Sequence, residues 1–144
     1  MPSLRESNYR AFLEALLKGE TTRAQQLIAP GFRASFGETK PDMVFAELVR
    51  EIRRQRVAFP DLGRKIKVVN VSEDPAENRL VITYKMTMTF SGVLTSADGR
   101  HTAQPTGEII EVPSQDRVEF EGNKIRSIEV VTDMGHTMAQ MFRN

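Results

Sequence analysis

Apolar and polar side chains alternate over residues 80–90, with Val81 as the one exception. Successive side chains of a β-strand point to opposite faces of the sheet, so the pattern predicts a central strand with one buried face. That face takes the apolar residues Leu80, Ile82, Tyr84, Met86, Met88 and Phe90. The last four of these either belong to the core or line an apolar pocket, and they are therefore candidate ligand-binding residues.

Helical spacing of apolar residues predicts a first helix over residues 3–18. A second short helix over residues 22–28 is predicted from Thr21 or Thr22 as its cap and from Pro30-Gly31, which closes it. Ser3 and Glu6 have the spacing of a capping box, in which each side chain binds a free backbone N–H group of the first turn. Gly19 is suited to end the first helix because glycine accepts the left-handed conformation.

A third helix is predicted to begin after Asp42 as its cap and to end before Pro60, because the residue preceding a proline avoids the helical conformation. Its apolar stripe has the i, i+3, i+4, i+7 spacing and consists of Phe45, Leu48, Val49 and Ile52. Its far end carries Arg50, Arg53, Arg54 and Arg56. Such a run of arginines either binds phosphate or is a solvated surface that favours the negative end of the helix dipole.

The rest of the chain is predicted to be mainly strand. A short extended piece covers residues 32–36, and four strands in a meander cover residues 65–71, 80–90, 108–120 and a last stretch ending near residue 133. Residues 91–106 are polar and form a loop or a loose hairpin tip, and residues 134–142 form a short terminal helix. Helices followed by strands indicate an α+β domain, with the helices on one face of an antiparallel sheet. A single domain of residues 1–144 is the simplest division.

The last two strands meet at the turn from Glu121 to Lys124, which reads as a two-residue hairpin connection. Regular pairing from this turn places Asp116 opposite Glu129, and both on the same face as Asp133. We therefore take Asp116 and Glu129 as candidate ligand-binding residues, with an outward-facing carboxylate pair as the alternative.

This register is conditional, because apolar residues occupy both parities of the last strand. Ile125 and Val131 fall on one face, whereas Ile128 and Val130 fall on the other. Either a bulge breaks the alternation or both faces of the strand are covered.

The composition narrows the possible chemistry. The 144 residues include no cysteine and two histidines far apart in sequence, which argues against disulfides, thiolate catalysis and a metal site built from Cys or His. A net charge of +1 gives no reason to expect nucleic acid or a membrane as partner. The start of the sequence is polar, without an apolar signal core, so we expect a cytoplasmic protein. We also expect that the protein needs no cofactor.

Several short motifs occur in an order that resembles a known family. They are the Gly19-Glu20 end of the first helix, AFPDL at residues 58–62, PTG at 105–107, GNKI at 122–125 and DMG at 133–135, with Gln140 behind it. Together they span nearly the whole chain, which resembles the SnoaL-like polyketide cyclases of the NTF2-like superfamily. The resemblance implies a cone-shaped α+β fold, with three N-terminal helices packed on a strongly curved mixed sheet that encloses a pocket.

The resemblance also implies a catalytic residue. In the cyclases, an aspartate at the end of the last strand is the acid/base group of an aldol ring closure, and Asp133 falls on that position. Asp133 is equally suited to cap the following helix. His136 either reaches the pocket mouth or is solvated, and Tyr9 is expected on the surface of the first helix.

Three functions remain open at this point. The first is a cofactor-free cyclase or isomerase that acts on a hydrophobic carbonyl compound, with Asp133 as its acid/base. The second is a small-molecule-binding module without catalysis. The third is an interaction domain that self-associates through the outer face of the sheet at Lys85, Thr87 and Thr89, and the resemblance implies a homodimer.

Overall fold

The computed structural model describes residues 2–36, 40–95 and 99–132. The candidate residues Asp133 and His136 and the predicted terminal helix lie outside the described residues. None of the helices in these ranges is long and apolar enough to cross a membrane.

Three helices precede most of the sheet, as the sequence predicts. Helix α1 covers Leu4–Lys18, α2 covers Thr21–Gln25 and α3 covers Phe45–Ala58. The Ser3 hydroxyl accepts a hydrogen bond from the Glu6 N–H group at 3.1 Å, and Gly19 ends α1 with φ of +83°. Both predicted ends of α1 are therefore confirmed.

The ends of the other two helices differ from the prediction. Helix α2 stops at Gln25 because strand β1, Ile28–Phe36, begins four residues earlier than expected. Asp42 does not cap α3, since it lies in strand β2, Lys40–Met43. The cap is Val44, whose N–H group donates to the Glu47 carboxylate at 3.2 Å.

The main sheet has six strands among the described residues. Besides β1 and β2, they are β3, Lys65–Asp74; β4, Arg79–Thr89; β7, Ile109–Glu121; and β8, Lys124–Thr132. The order across the sheet is β2-β1-β8-β7-β4-β3. Strand β1 runs parallel to β8, and all other neighbours are antiparallel. The predicted four-strand antiparallel meander is confirmed in β3, β4, β7 and β8. The sheet is larger than predicted, because the chain adds β1 and β2 beside β8.

Two short strands form a separate small sheet, and one strand of the main sheet contains a proline. Leu94–Thr95 (β5) and Thr102–Ala103 (β6) form a two-stranded hairpin within the segment predicted as a loop or hairpin tip. Strand β7 passes through Pro113 without a break, and Pro113 is opposite Lys85.

The core lies between the helices and one face of the sheet. Along β4 the alternation of the sequence is retained, and Leu80, Ile82, Tyr84, Met86, Met88 and Phe90 are all buried. They pack in one cluster with Phe12 and Leu16 of α1 and with Leu48 and Ile52 of α3. The helices thus cover one face, which we call the inner face, and leave the other largely exposed. This is the α+β architecture that the sequence predicts.

Candidate active site

The hairpin between β7 and β8 has the predicted turn but not the predicted register. Glu121 is opposite Lys124, as expected, and Gly122 at the turn has φ of +62°. The register then shifts by one residue, since Phe120 is opposite Ile125 and Glu119 is opposite Ser127. The extra residue in β8 is a bulge, which is one of the two alternatives that the sequence left open.

The bulge separates the two carboxylates that regular pairing would bring together. Asp116 is opposite Val130, and Glu129 is opposite Arg117. Glu129 therefore points to the outer face, where its carboxylate is 3.9 Å from the Arg117 guanidinium. The expected placement of Glu129 beside Asp116 is wrong, because one inserted residue reverses which face the following side chains occupy.

Asp116 lies on the inner face and is 1% exposed. Its Oδ2 atom accepts hydrogen bonds from the Tyr9 hydroxyl and, at 2.9 Å, from the Tyr84 hydroxyl. The Ser114 hydroxyl donates to its other carboxyl oxygen at 3.5 Å. A buried carboxyl group thus has three hydroxyl partners, which are contributed by α1, β4 and β7.

The strand register explains how these groups meet. Tyr84 is opposite Ser114, and the next inner position of β4, Ile82, is opposite Asp116. Tyr84 and Asp116 are therefore diagonal neighbours, a separation that a long aromatic side chain spans. Tyr9 comes from α1, which packs over this part of the sheet.

Burial shifts the pKa values of Asp116, Tyr9 and Tyr84. Burial raises the pKa of Asp116 from the ordinary value of 3.8 to about 6, although the hydrogen bonds from Tyr9, Tyr84 and Ser114 act to lower it. Burial, together with the nearby Asp116 carboxylate, raises the pKa of both tyrosines well above 10. Near neutral pH the carboxyl group is thus poised between its two protonation states, whereas the phenols keep their protons.

Asp116 borders a small cavity between the helices and the sheet, with a volume of about 40 Å³. A water molecule takes about 30 Å³ in the liquid, so the cavity holds roughly one water. Its polar lining consists of Asp116, Tyr9, Tyr84 and Gln55 of α3, and the remaining lining is apolar and includes Met86. A carboxyl group with a shifted pKa at the wall of a mostly apolar cavity is a candidate functional group.

The larger concave feature of the protein is an open groove of about 680 Å³ over the outer face. Its charged side chains pair with one another, as in the Arg33–Asp42 and Arg117–Glu129 ion pairs. None of the described residues that line the groove is a buried polar or charged residue. We therefore take the smaller inner cavity as the candidate site, because it combines a buried carboxyl group with convergent hydroxyl donors.

The predicted pocket residues divide into three groups. Asp116, Tyr84 and Met86 line the cavity, and ligand binding by them stays a prediction. Met88 and Phe90 are buried but do not line it, and Phe90 packs on Phe59 with 5.6 Å between ring centroids. Glu129 lies on the outer face.

Two polar residues of the cavity wall, Tyr9 and Gln55, were not predicted as site residues from the sequence. Tyr9 was expected on the helix surface, but it is 1% exposed. Its position could have been found, because Tyr9 precedes Phe12, Leu13 and Leu16 at helical spacing and so falls on the buried stripe. Gln55 is 7% exposed, and its neighbours in the sequence, which are mostly arginines, gave no signal for burial.

Comparison with known proteins supports the fold. No protein-family model and no curated protein matches the chain significantly. Among solved structures, a proposed SnoaL-like polyketide cyclase from Jannaschia sp. CCS1 matches with a TM-score of 0.79 and 15% identity, covering 98% of this chain and 93% of that one. AclR, a proposed hydroxylase from Streptomyces galilaeus, matches with a TM-score of 0.75 and 18% identity, covering 97% and 82%.

A protein from Catenulispora acidiphila with a ketosteroid isomerase-like fold also matches, with a TM-score of 0.68 and 11% identity, covering 93% of this chain and 91% of that one. The chain therefore has the α+β fold of these structures, the NTF2-like or ketosteroid isomerase-like fold. The predicted resemblance is confirmed at the level of the fold. Proteins of this fold carry more than one assigned activity, so activity must be argued from the site.

Proposed function

We propose that the protein is a cofactor-free acid–base enzyme of the cyclase or isomerase type that acts on a hydrophobic carbonyl compound in the inner cavity. The single observation behind this proposal is the Asp116 carboxyl group, which is buried at the cavity wall and hydrogen-bonded to Tyr9 and Tyr84. A pKa of about 6 lies near neutrality, where one group both removes and returns a proton efficiently.

In the proposed reaction, the Asp116 carboxylate removes the proton from the carbon next to the substrate carbonyl. The electron pair of that C–H bond moves to the carbonyl oxygen and forms an enolate. Protonated Asp116 then returns the proton, either to another carbon in an isomerisation or to the new alkoxide oxygen after an aldol ring closure. No electrons are gained or lost overall, so the reaction needs no redox partner.

The two tyrosines supply hydrogen-bond donors for the enolate oxygen. Each phenol has one proton, so a tyrosine that donates to the substrate no longer donates to Asp116. Loss of that hydrogen bond raises the pKa of Asp116 further and makes its carboxylate a stronger base. Substrate binding would thus activate the base, and the cavity would have to widen from its present volume to admit the substrate.

Asp133 enters the proposal through the family resemblance alone. We expect it either to act at the same pocket as a second acid/base group or to cap the predicted terminal helix. Asp133→Asn is therefore compared with Asp116→Asn in every assay.

The test uses cyclohexanone as a probe, because its C–H groups next to the carbonyl exchange with D₂O when a base removes their protons. We expect the protein to accelerate this exchange, as followed by proton NMR, and Asp116→Asn to reduce the acceleration about 100-fold or more. Glu129→Gln, the matched carboxylate on the outer face, should leave the rate unchanged. Equal rates for Asp116→Asn and the unmodified protein would overturn Asp116 as the acid/base.

A second candidate function is a binding module without catalysis. The observation that favours it is that the protein itself satisfies both oxygens of Asp116 with hydroxyl donors, as expected of a rigid cavity wall. Saturable binding of a hydrophobic ketone with no exchange of its protons would support this function. The expected homodimer stays a prediction, which sedimentation velocity over a range of protein concentrations would test.

A further inference from the structure

A second concave site lies on the helical side of the protein, outside the inner cavity. It is a cleft of about 60 Å³ between the end of α1, the start of α2 and the side of α3. Its described lining consists of Arg53, Arg56, Thr21, Gly19, Leu16, Val49 and Ile52. We propose that this cleft binds the oxyanion of a small molecule, a phosphate or a carboxylate, between Arg53 and Arg56.

Gly19 allows the Arg56 guanidinium to lie directly against the end of α1. A Cβ atom at position 19 would be only 2.0 Å from Nη1 of Arg56, so any other residue would displace the guanidinium. Gly19 also has φ of +83°, which other residues rarely adopt. The fold thus places a partly buried positive charge in the cleft wall, beside the end of α1.

The positive charges of the cleft have no acidic counterpart among the described residues. Arg53 and Arg56 are three residues apart on α3 and share one side of the helix, so their charges repel each other. Neither forms an ion pair or a side-chain hydrogen bond with a residue that the structure describes, and no acidic side chain lines the cleft. By contrast, Lys18 and Arg23 nearby pair with Glu14 and Glu20.

The helix dipoles offset only part of the positive charge of Arg53 and Arg56. The ends of α1 and α3 each carry about half a negative charge, which falls off within one turn. Arg53 is exposed to solvent, whereas Arg56 is partly buried beside the apolar floor of the cleft. An oxyanion between them would offset the charge of Arg56, which no acidic side chain among the described residues neutralises. A guanidinium group presents a planar fork of donors that matches two oxygens of a phosphate or carboxylate.

The size of the cleft and its neighbours also fit a small anion. Its volume is about twice that of one water in the liquid. Thr21 also lines the cleft, and its hydroxyl donates to the Gly19 carbonyl oxygen at 3.5 Å. Leu16 and Ile52 line both this cleft and the inner cavity, so they form the wall between them. Their methyl groups are natural reporters of binding on either side.

The experiment is a methyl NMR titration of the whole protein with inorganic phosphate, in which the Leu16 and Ile52 signals are observed. We expect saturable shifts, and we expect Arg53→Gln and Arg56→Gln each to weaken binding by about tenfold or more. The matched control is Arg50→Gln, which removes an exposed charge from the same helix but not from the cleft, and it should change binding less than about twofold. Arg56→Lys retains the charge without the fork and should fall between these limits.

Parallel titrations with other anions show whether the cleft prefers a phosphate or a carboxylate, and whether binding is specific. Methyl phosphate binding more tightly than acetate would assign a phosphate ester, and the reverse order would assign a carboxylate. The proposal would be overturned if sodium chloride at matched ionic strength produced the same methyl shifts. It would also be overturned if Arg50→Gln weakened phosphate binding as much as Arg53→Gln and Arg56→Gln do. Because Arg56 contacts the end of α1, each variant is first checked for an unchanged fold by circular dichroism. If Arg56→Gln fails that check, Arg53→Gln decides the outcome.

Discussion

On the inner face of the β7–β8 hairpin, Asp116 is 1% exposed and receives three hydroxyl hydrogen bonds, whereas on the outer face Glu129 is half exposed and faces Arg117. Burial raises the pKa of Asp116 to about 6. The two carboxylates are close in the fold, and the difference between them comes from the face of the sheet that each occupies. An acidic residue in this hairpin is chemically distinctive only where the helices exclude water from it.

We expect the largest difference between the two faces in the stability lost when a side chain of β4 is truncated to alanine. Ile82 is fully buried on the inner face, and its neighbour Thr83 is on the outer face. We expect Ile82→Ala to lower the free energy of unfolding by about 2–5 kcal/mol, because it removes buried methyl groups and leaves a cavity. Thr83→Ala removes a half-buried β-branched side chain that accepts a hydrogen bond from Gln115 at 3.4 Å, and it should lower the free energy of unfolding by about 1 kcal/mol or less. Urea unfolding followed by circular dichroism measures both, and similar losses would contradict the assignment of the faces.

The second effect is a pH dependence that only the inner carboxyl group should produce. The pKa of Asp116 is 3.8 without the environment of the fold and about 6 within it, so the folded state binds the proton more tightly. The stability contributed by protonated Asp116 is complete below about pH 4 and is lost as the pH rises to about 6. The loss amounts to at most about 3 kcal/mol.

To isolate this dependence, the unfolding free energy of Asp116→Asn is subtracted from that of the unmodified protein at each pH from 4 to 7. We expect the difference to decrease with rising pH through this window. The same subtraction with Glu129→Gln should show no such decrease. A flat difference for Asp116→Asn would mean that the carboxyl group is not buried in solution.

A smaller effect should come from the hydrogen bonds to Asp116. Tyr84→Phe removes a hydroxyl that donates to the carboxylate at 2.9 Å, so the pKa of Asp116 should rise further. We expect a loss of about 1–2 kcal/mol in stability near neutral pH, where the ionised form contributes. Carbon NMR of the Asp116 carboxyl group measures the pKa. A pKa that falls in Tyr84→Phe would show that the hydroxyl does not stabilise the carboxylate.

The smallest effect should belong to the outer face. The Arg117–Glu129 pair is 3.9 Å apart, with both side chains more than half exposed. Water and salt screen such a pair, so a double-mutant cycle with alanine at both positions should give a coupling below about 1 kcal/mol. The coupling should vanish in high salt. A larger, salt-independent value would indicate that this face is covered in solution.

Much of the fold follows from local sequence patterns. The alternation over residues 80–90 gave the central strand, Ser3 and Gly19 gave the ends of α1, and Glu121 to Lys124 gave the hairpin turn, because each of these features depends on residues close together in the chain. Less was predictable about the strands at the edge. The parallel pairing of β1 with β8 joins residues about 100 positions apart, for which a single sequence contains no local signal.

The features of the candidate site likewise fall into those set by local sequence and those set by tertiary structure. By itself the sequence determined that an acidic residue at position 116 precedes a tight turn and that Tyr84 lies on the apolar face of its strand. Only the tertiary structure decided that the bulge in β8 turns Glu129 outward, and that α1 and α3 bring Tyr9 and Gln55 to the cavity. The physical reason is that side-chain direction in a strand depends on the parity of the register, which one inserted residue reverses. Burial, which sets the pKa of Asp116, depends on helices from distant parts of the chain.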